Sequence, residues 1–512
     1  MSEFPAFFIE EPDLIFGYKG EEKDPRLGLK RYGPYFSPSE SAPSPSQVRV
    51  GIIGSGDTLT LTRQILDMLS GAIRSDESNR WLYPDFPGFS VKTRIKSEIV
   101  NADHWNKTLT QVEIDSVIGV VDVNERIAAA SNLFIDKLTA VAMEDDHPQV
   151  VICALPWVIE EYCGISKRTR GAKRPRFTEA EKAAAELRTK HQSFLSDWGL
   201  DFEEPQEPEA ESQRDYDLHN SMKGKAMKPA IPIQLLREST ARAILDYPKS
   251  TFATRQNPAT FAWNFSTALY YKANGKPWRL AKLVPGTCYV GIAFYRNLRN
   301  PNLNIETSMA QIFTHSGEGF VLRGSDVVVD EETKEAHLSE AQSEQLMRDV
   351  IGKYTLKVGA GPSRMVIHKT SQFNAGEAAG FHRAIGGTPT DFVAISRSTP
   401  IRFLRVGEYP VLRGTGIQLT SREYLLFTGG YTPRIRTYPG HRIPEPLHIV
   451  HEGDSDAKLV CSEILGLTKL NWNTTSFSTY RPITLEFARR VGDILSELPE
   501  DAPVQDHYRF YM

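Results

Sequence analysis

Apolar positions along the chain repeat at strand and at helix periods in turn, and the alternation marks out two α/β regions. Residues 48–53, VRVGII, form a short apolar run. The turn GSGDT follows, and residues 59–73 then carry apolar side chains at helical spacing. Residues 117–121 and 150–155 read as further strands, with a helix over 124–141 between them. Repeated strand–helix steps of this kind predict a Rossmann-like domain. The stretch 287–296, TCYVGIAFYR, is apolar on both faces and follows Pro285-Gly286, so it predicts a buried central strand. Strands are expected at 305–313, 319–322 and 327–329. A helix follows Ser339, whose Gln342 stands three residues on, and runs to about Tyr354. A strand at 364–369, a helix at 374–385 and a strand at 391–395 come next. A β-rich stretch through VLRGTG (411–416) and YLLFTGGY (424–431) precedes two closing helices near 456–466 and 484–496.

Strands first and strand–helix alternation afterwards is the order of a ribonuclease-H-type α/β domain. Such domains place a carboxylate in the middle of the central strand, where it helps hold a divalent metal. Here the middle reads Gly291-Ile292-Ala293-Phe294, without a carboxylate. The expected organisation is a connector over 1–46, a first domain over 47–285 and a second over 286–512. Residues 166–215 interrupt the first domain with a basic run, SKRTRGAKRPR, a T-x-x-E start at Thr178 and Glu181, and the acidic stretch EEPQEPEAE. They read either as a solvated insertion or as an arm that touches nucleic acid or a partner.

Composition narrows the function classes. The chain has 512 residues, 40% of them hydrophobic, and a net charge of −4, so nucleic-acid binding requires a local basic patch. The four cysteines are scattered and form no C-x-x-C pair, which points away from zinc and disulfide frameworks and towards a reducing cytoplasm. No secretory signal and no apolar run of membrane-spanning length is read. The glycines after the first strand fall as G-x-x-G-x-G (Gly51, Gly54, Gly56), which is not the dinucleotide pattern. His219 and Lys223 stand four apart and share a face if helical, with Lys225, Lys228 and Gln234 close behind and Lys272 further on. Several lysines, a histidine and an amide suit a terminal phosphate, because ammonium groups supply charge and amides supply direction.

Several segments together resemble the short prokaryotic Argonautes, which carry only MID and PIWI domains. They are LIFGY…DPRLGLKRYGPY at 14–35, VGIAFYR at 290–296, VIHKTSQFNAGE at 366–377, VLRGTG at 411–416, YLLFTGGYTP at 424–433 and, the longest, EILGLTKLNWNTTSFSTYRPITLEFARRVGDIL at 463–495. The resemblance covers nearly the whole chain except 166–215, and no segment reads as a PAZ domain. It implies an α/β fold with a Rossmann-like MID domain at 47–285 and a ribonuclease-H-like PIWI domain at 286–512. It implies that His219, Lys223, Gln234 and Lys272 grip the 5′-phosphate of a guide strand, with Lys225 or Lys228 as substitutes for Lys223 under a register shift. Active members hold two magnesium ions on four residues. The first Asp position reads Ala293 and the second reads Thr370, and neither supplies an anionic oxygen; Glu318 stands near the Glu position. The expectation is a protein that binds without cutting. An active endonuclease and an unrelated α/β scaffold are the alternatives.

The resemblance further implies guide RNA, target single-stranded DNA and a separate APAZ-domain protein carrying a TIR or Sir2 NAD hydrolase or a DNase. The setting it implies is the prokaryotic cytoplasm, in immunity against plasmids and phages. The aromatic tail HYRFYM is expected to be packed, since exposed chain ends otherwise fray. In the family the terminal carboxylate, here that of Met512, can hold a metal ion such as Mg2+ beside the guide phosphate. Sealing of the PIWI core by the aromatic rings is the other reading of this tail.

Overall fold

The computed structural model describes residues 4–37, 44–164, 217–247, 256–296, 306–314, 319–326, 328–329, 336–397, 401–438, 443–499 and 502–512, with residues 176, 178, 179 and 182. Glu318, Glu181 and nearly all of 166–215 lie outside them.

The first half is built on a parallel sheet in the order Glu98–Val100, Gln47–Gly54, Val150–Leu155, Ile233–Arg237, with Lys107–Thr108 also pairing to Gln47–Gly54. Val150–Leu155 is buried at every position. That explains its unbroken apolar sequence, because helices cover both faces of such a strand. Helix Gly56–Ser70 starts at Ser55, whose hydroxyl accepts from the Thr58 amide, and helix Val123–Ala142 starts at Asp122. The strand expected at 117–121 is not formed. Residues Gln111–Ile118 are helical, fixed by a reciprocal cap between Thr110 and Glu113, and they bury Ile114 and Val117 one helical turn apart. β-branched residues suggested a strand there, and the cap outweighs them.

The second half is a nine-stranded mixed sheet. Its order is Ala6–Phe8, Thr415–Gln418, Glu423–Leu426, Leu447–Gly453, Thr390–Ser396, Arg364–Lys369, Thr287–Arg296, Glu306–Thr314, Gly319–Asp326. Thr287–Arg296 pairs antiparallel with Glu306–Thr314 and parallel with Arg364–Lys369, so it is central. Helices Glu340–Val358 and Ala375–Ile385 pack on one face, with Met347, Val350, Phe381 and Ile292 in one cluster. Helix Ile483–Leu495 covers the other face. It lies so close that a Cβ on Gly291 would meet the Thr484 carbonyl oxygen at 2.2 Å, so glycine is required there.

The first 46 residues do more than connect. Ala6–Phe8 forms the edge of the large sheet against residues 415–417. Leu14–Ile15 pairs with Arg279–Leu280, and Pro25–Tyr32 is a helix capped by Asp24. A three-residue strand carries no periodicity of its own, so only its distant partner reveals it. The tail is packed as expected: Tyr508, Phe510, Tyr511 and Met512 are all buried.

Candidate anion-binding site

The expected phosphate ligands sit on three elements of the first domain and on the chain's last residue. Helix Leu218–Lys225 is started by Asp217, whose carboxylate accepts from the His219 amide at 3.0 Å. One helical turn later Lys223 points into the interior and is 2% exposed. Its ammonium donates to the carbonyl oxygen of Ile233 and to the main-chain oxygen of Met512. Gln234 comes in on the strand Ile233–Arg237, and Lys272 on the last turn of helix Pro258–Lys272. The Lys272 ammonium donates to Gln234 Oε1 and is completely buried. The structure thus brings Lys223, Gln234, Lys272 and Met512 together, with His219 one turn from Lys223 on the same helix. Lys225 turns away to Asn132 Oδ1, at 2.8 Å, and Lys228 is exposed, so Lys223 is the lysine in the site.

The electrostatics are those of a site rich in buried positive charge. Neither Lys223 nor Lys272 pairs with a carboxylate side chain among the described residues; their acceptors are a carbonyl, an amide and a main-chain oxygen. Burial pushes Lys223 down to about 7. Burial, and then the Lys223 charge, push Lys272 well below its ordinary value. Burial followed by Lys223 holds His219 down to about 4, so its ring is neutral at pH 7. Two ammonium groups facing each other in a dry site cannot both stay charged without a counter-charge. The Met512 terminus brings one negative charge to Lys223, and a phosphate with a charge near −2 supplies the rest.

The residues make a poor magnesium site by themselves. Magnesium requires oxygen ligands in octahedral array, and here the Met512 oxygen already accepts from an ammonium. Among the described residues no group of three or more His, Cys, Asp or Glu side chains is arranged to hold a metal ion.

The second expected centre lies on the large sheet. The parallel register pairs Ile292 with Lys369, so Ala293 and Thr370 are the next residues on adjacent strands. Ala293 is half-buried and Thr370 exposed. Behind them His368 donates to or accepts from Thr484 Oγ1 at 2.8 Å, and burial pushes its ring down to about 3. The nearby carboxylate of Glu377 is engaged by Lys369, with contacts of 2.6 and 2.7 Å, and by His337 at 3.2 Å.

Met512 was expected beside the phosphate, but its direct contact with Lys223 and the contact of Lys223 with Ile233 were not. The Ile233 carbonyl carries no side-chain signal, and direct contact of Lys223 with Met512 joins residues 289 positions apart. The buried tail was the sequence hint for the second.

No protein-family model matches the chain, and no curated protein matches it. Solved structures do. Clostridium butyricum Argonaute bound to a guide DNA and a 19-mer target DNA is similar with a TM-score of 0.62 at 14% identity, over 98% of this chain and 54% of that one. Drosophila Piwi gives 0.59 at 12% identity, over 99% of this chain and 56% of its own. Aa-Ago with externally bound siRNA gives 0.53 at 15% identity, with coverage of 99% and 56%. The chain spans little more than half the length of these proteins. At such identities the likeness is one of fold: this chain has the MID–PIWI arrangement of Argonaute and Piwi structures.

Proposed function

We propose that this chain binds the 5′-phosphorylated end of a guide strand, RNA by the resemblance, and uses it to recognise complementary single-stranded DNA without cutting it. The observation that carries the reading is the buried pair Lys223 and Lys272, aimed with Gln234 at one site, with no carboxylate side chain paired to either among the described residues and only the Met512 terminus against Lys223. Lys223 supplies charge to the phosphate, Gln234 orients it, and the neutral His219 offers a hydrogen bond rather than a second repelling charge. In the family a magnesium ion can bridge the terminal carboxylate and the phosphate. Here we propose that the Lys223 ammonium takes that part, so that chelators leave guide binding intact. Nucleic acid that co-purifies with the protein tests the reading: short strands with a 5′-phosphate are expected, and a protein free of nucleic acid that also fails to bind such strands would refute it.

Ala293 and Thr370 motivate the second part of the proposal. Two magnesium ions held close together need anionic oxygens to offset their repulsion, and these side chains supply none. The guide-loaded protein is expected to leave a complementary strand whole in magnesium or manganese. Guide-dependent scission by pure protein on a denaturing gel would overturn this.

By the resemblance, recognition is passed to a separate APAZ-domain effector with TIR, Sir2 or DNase activity, in prokaryotic defence against plasmids and phages. Co-expression with such a partner is expected to raise soluble yield and guide occupancy. Equal yield and occupancy for the chain alone would count against it.

A further inference from the structure

A second cleft, of about 570 Å³, opens where the N-terminal segment, the turn around Trp81 and residues 432–436 meet. It shares no residue with the lysine site. Trp81 is 36% exposed and Phe8 57% exposed, so two aromatic surfaces face solvent here. The Arg434 and Arg436 guanidinium carbons stand 5.7 and 4.9 Å from the Trp81 ring centroid. The turn is held in place: Asn79 Nδ2 donates to the Ile435 carbonyl at 3.0 Å, and Asn79 Oδ1 accepts from the Trp81 amide at 3.1 Å.

The charges divide into used and unused. Arg434 is held by Glu22 through contacts of 2.9 and 2.6 Å, and Arg413 by Glu11 at 2.8 Å. Among the described residues Lys23 and Arg436 have no carboxylate partner, and one unpaired carboxylate, Glu10, shares the cleft with them. Arg436 also adopts a left-handed backbone, φ 54° and ψ 31°, which is costly for a residue with a side chain. That conformation presents its guanidinium beside the indole. Aromatic surface, stacked guanidinium groups and surplus positive charge in a cleft of ligand size are the chemistry of a nucleotide site on a single strand.

We propose that this cleft holds one nucleotide of the bound strand, its base against Trp81 and Phe8 and its phosphate against Arg436 and Lys23. The inference rests on the nucleic-acid reading given above and adds a contact independent of the 5′ end. An acidic peptide is the competing occupant, but it makes no use of the flat aromatic surface.

The test uses the whole 512-residue chain and fluorescence anisotropy with an oligouridine RNA, once with a 5′-phosphate and once with a 5′-hydroxyl. Trp81→Ala and Arg436→Gly, the latter compatible with the left-handed backbone, are each expected to weaken both RNAs about tenfold and to leave the preference for phosphate unchanged. Trp81→Phe is expected to restore most of the affinity, and Glu10→Gln to tighten binding. Lys223→Met is expected to do the reverse of Trp81→Ala: the phosphate preference falls while the hydroxyl RNA is little affected. Wild-type binding with undiminished affinity in Trp81→Ala and Arg436→Gly overturns this inference alone. Absence of binding by the wild-type protein overturns the nucleic-acid reading with it. Loss of an acidic peptide, with RNA affinity kept, assigns the cleft to a protein and also overturns the inference.

Discussion

Lys223→Met and Lys272→Met are each expected to lower affinity for a 5′-phosphorylated strand by about 1.5–3 kcal/mol, the range for hydrogen bonds to charged groups. The loss shrinks when the strand ends in a hydroxyl. Equal losses for both ends, by titration, would place these lysines on the backbone alone, where only general salt dependence is expected. The same site makes binding and stability respond to pH in opposite ways. Burial lowers Lys223 to about 7 and Lys272 well below its ordinary value, whereas both titrate near 10.4 in the unfolded chain (about the model-peptide value). The unfolded state therefore holds more protons, and the penalty for burying these lysines is largest below the folded values. Stability of the free protein should rise with pH from about 7 towards 10, by at most about 1.4 kcal/mol per pH unit for each lysine. Bound phosphate keeps both lysines charged, so binding takes up protons and affinity should fall as pH rises from 7 to 9. Calorimetry in buffers of different ionisation enthalpy reads the uptake directly; no buffer dependence would show that the lysines are charged before binding. Residues appended after Met512 test the other side of the site. If the Met512 oxygen is part of it, extension weakens binding of the phosphorylated strand and spares the hydroxyl one.

Arg364→Leu is expected to cost about 3–5 kcal/mol of stability, because it leaves two buried carboxylates unpaired. Arg364 donates to Asp391 Oδ2 at 2.9 Å and to both Glu463 oxygens at 2.6 and 3.0 Å. Tyr289 also donates to Glu463 at 2.8 Å, and His451 and Ser455 bond Asp391 at 2.9 and 2.7 Å. Burial works to raise the Asp391 carboxyl, but its bonds to His451, Ser455 and Arg364 prevail and hold it well below the usual range. A depressed carboxylate adds stability above its unfolded value near 3.9 and loses it as pH falls towards the folded value. Urea titration at pH 7 should therefore show the loss in full, and at pH 3 a smaller one. A change under 1 kcal/mol at pH 7 would mean that neighbouring groups replace the arginine. The network ties four strands and helix Ala457–Leu467 at the end of the sheet opposite Ala293 and Thr370, so it fixes the register that sets those two side by side.

What the sequence determined by itself was local and periodic. Apolar runs such as Val150–Leu155 and Thr287–Arg296 declared themselves as buried strands. The cap at Ser339 declared a helix start, since it couples a side chain to the amide three residues on. The spacing of His219 and Lys223 placed them on one helix face before any tertiary contact was known. Helix Gln111–Ile118 was misread, because the β-branched pattern was weighed and the cap at Thr110 was not. Tertiary structure alone decided which lysine enters the site: Lys223 and Lys225 are alike in sequence, but one meets Ile233 and Met512 and the other Asn132. It alone joined Ala6–Phe8 to residues more than 400 positions away, and it alone assembled the Trp81 cleft from three distant segments. The physical reason is the same in each case. Periodicity and capping act over a few residues and are written in the local pattern. Burial of a charge, an edge pairing or a cleft depends on which surfaces the whole chain brings into contact.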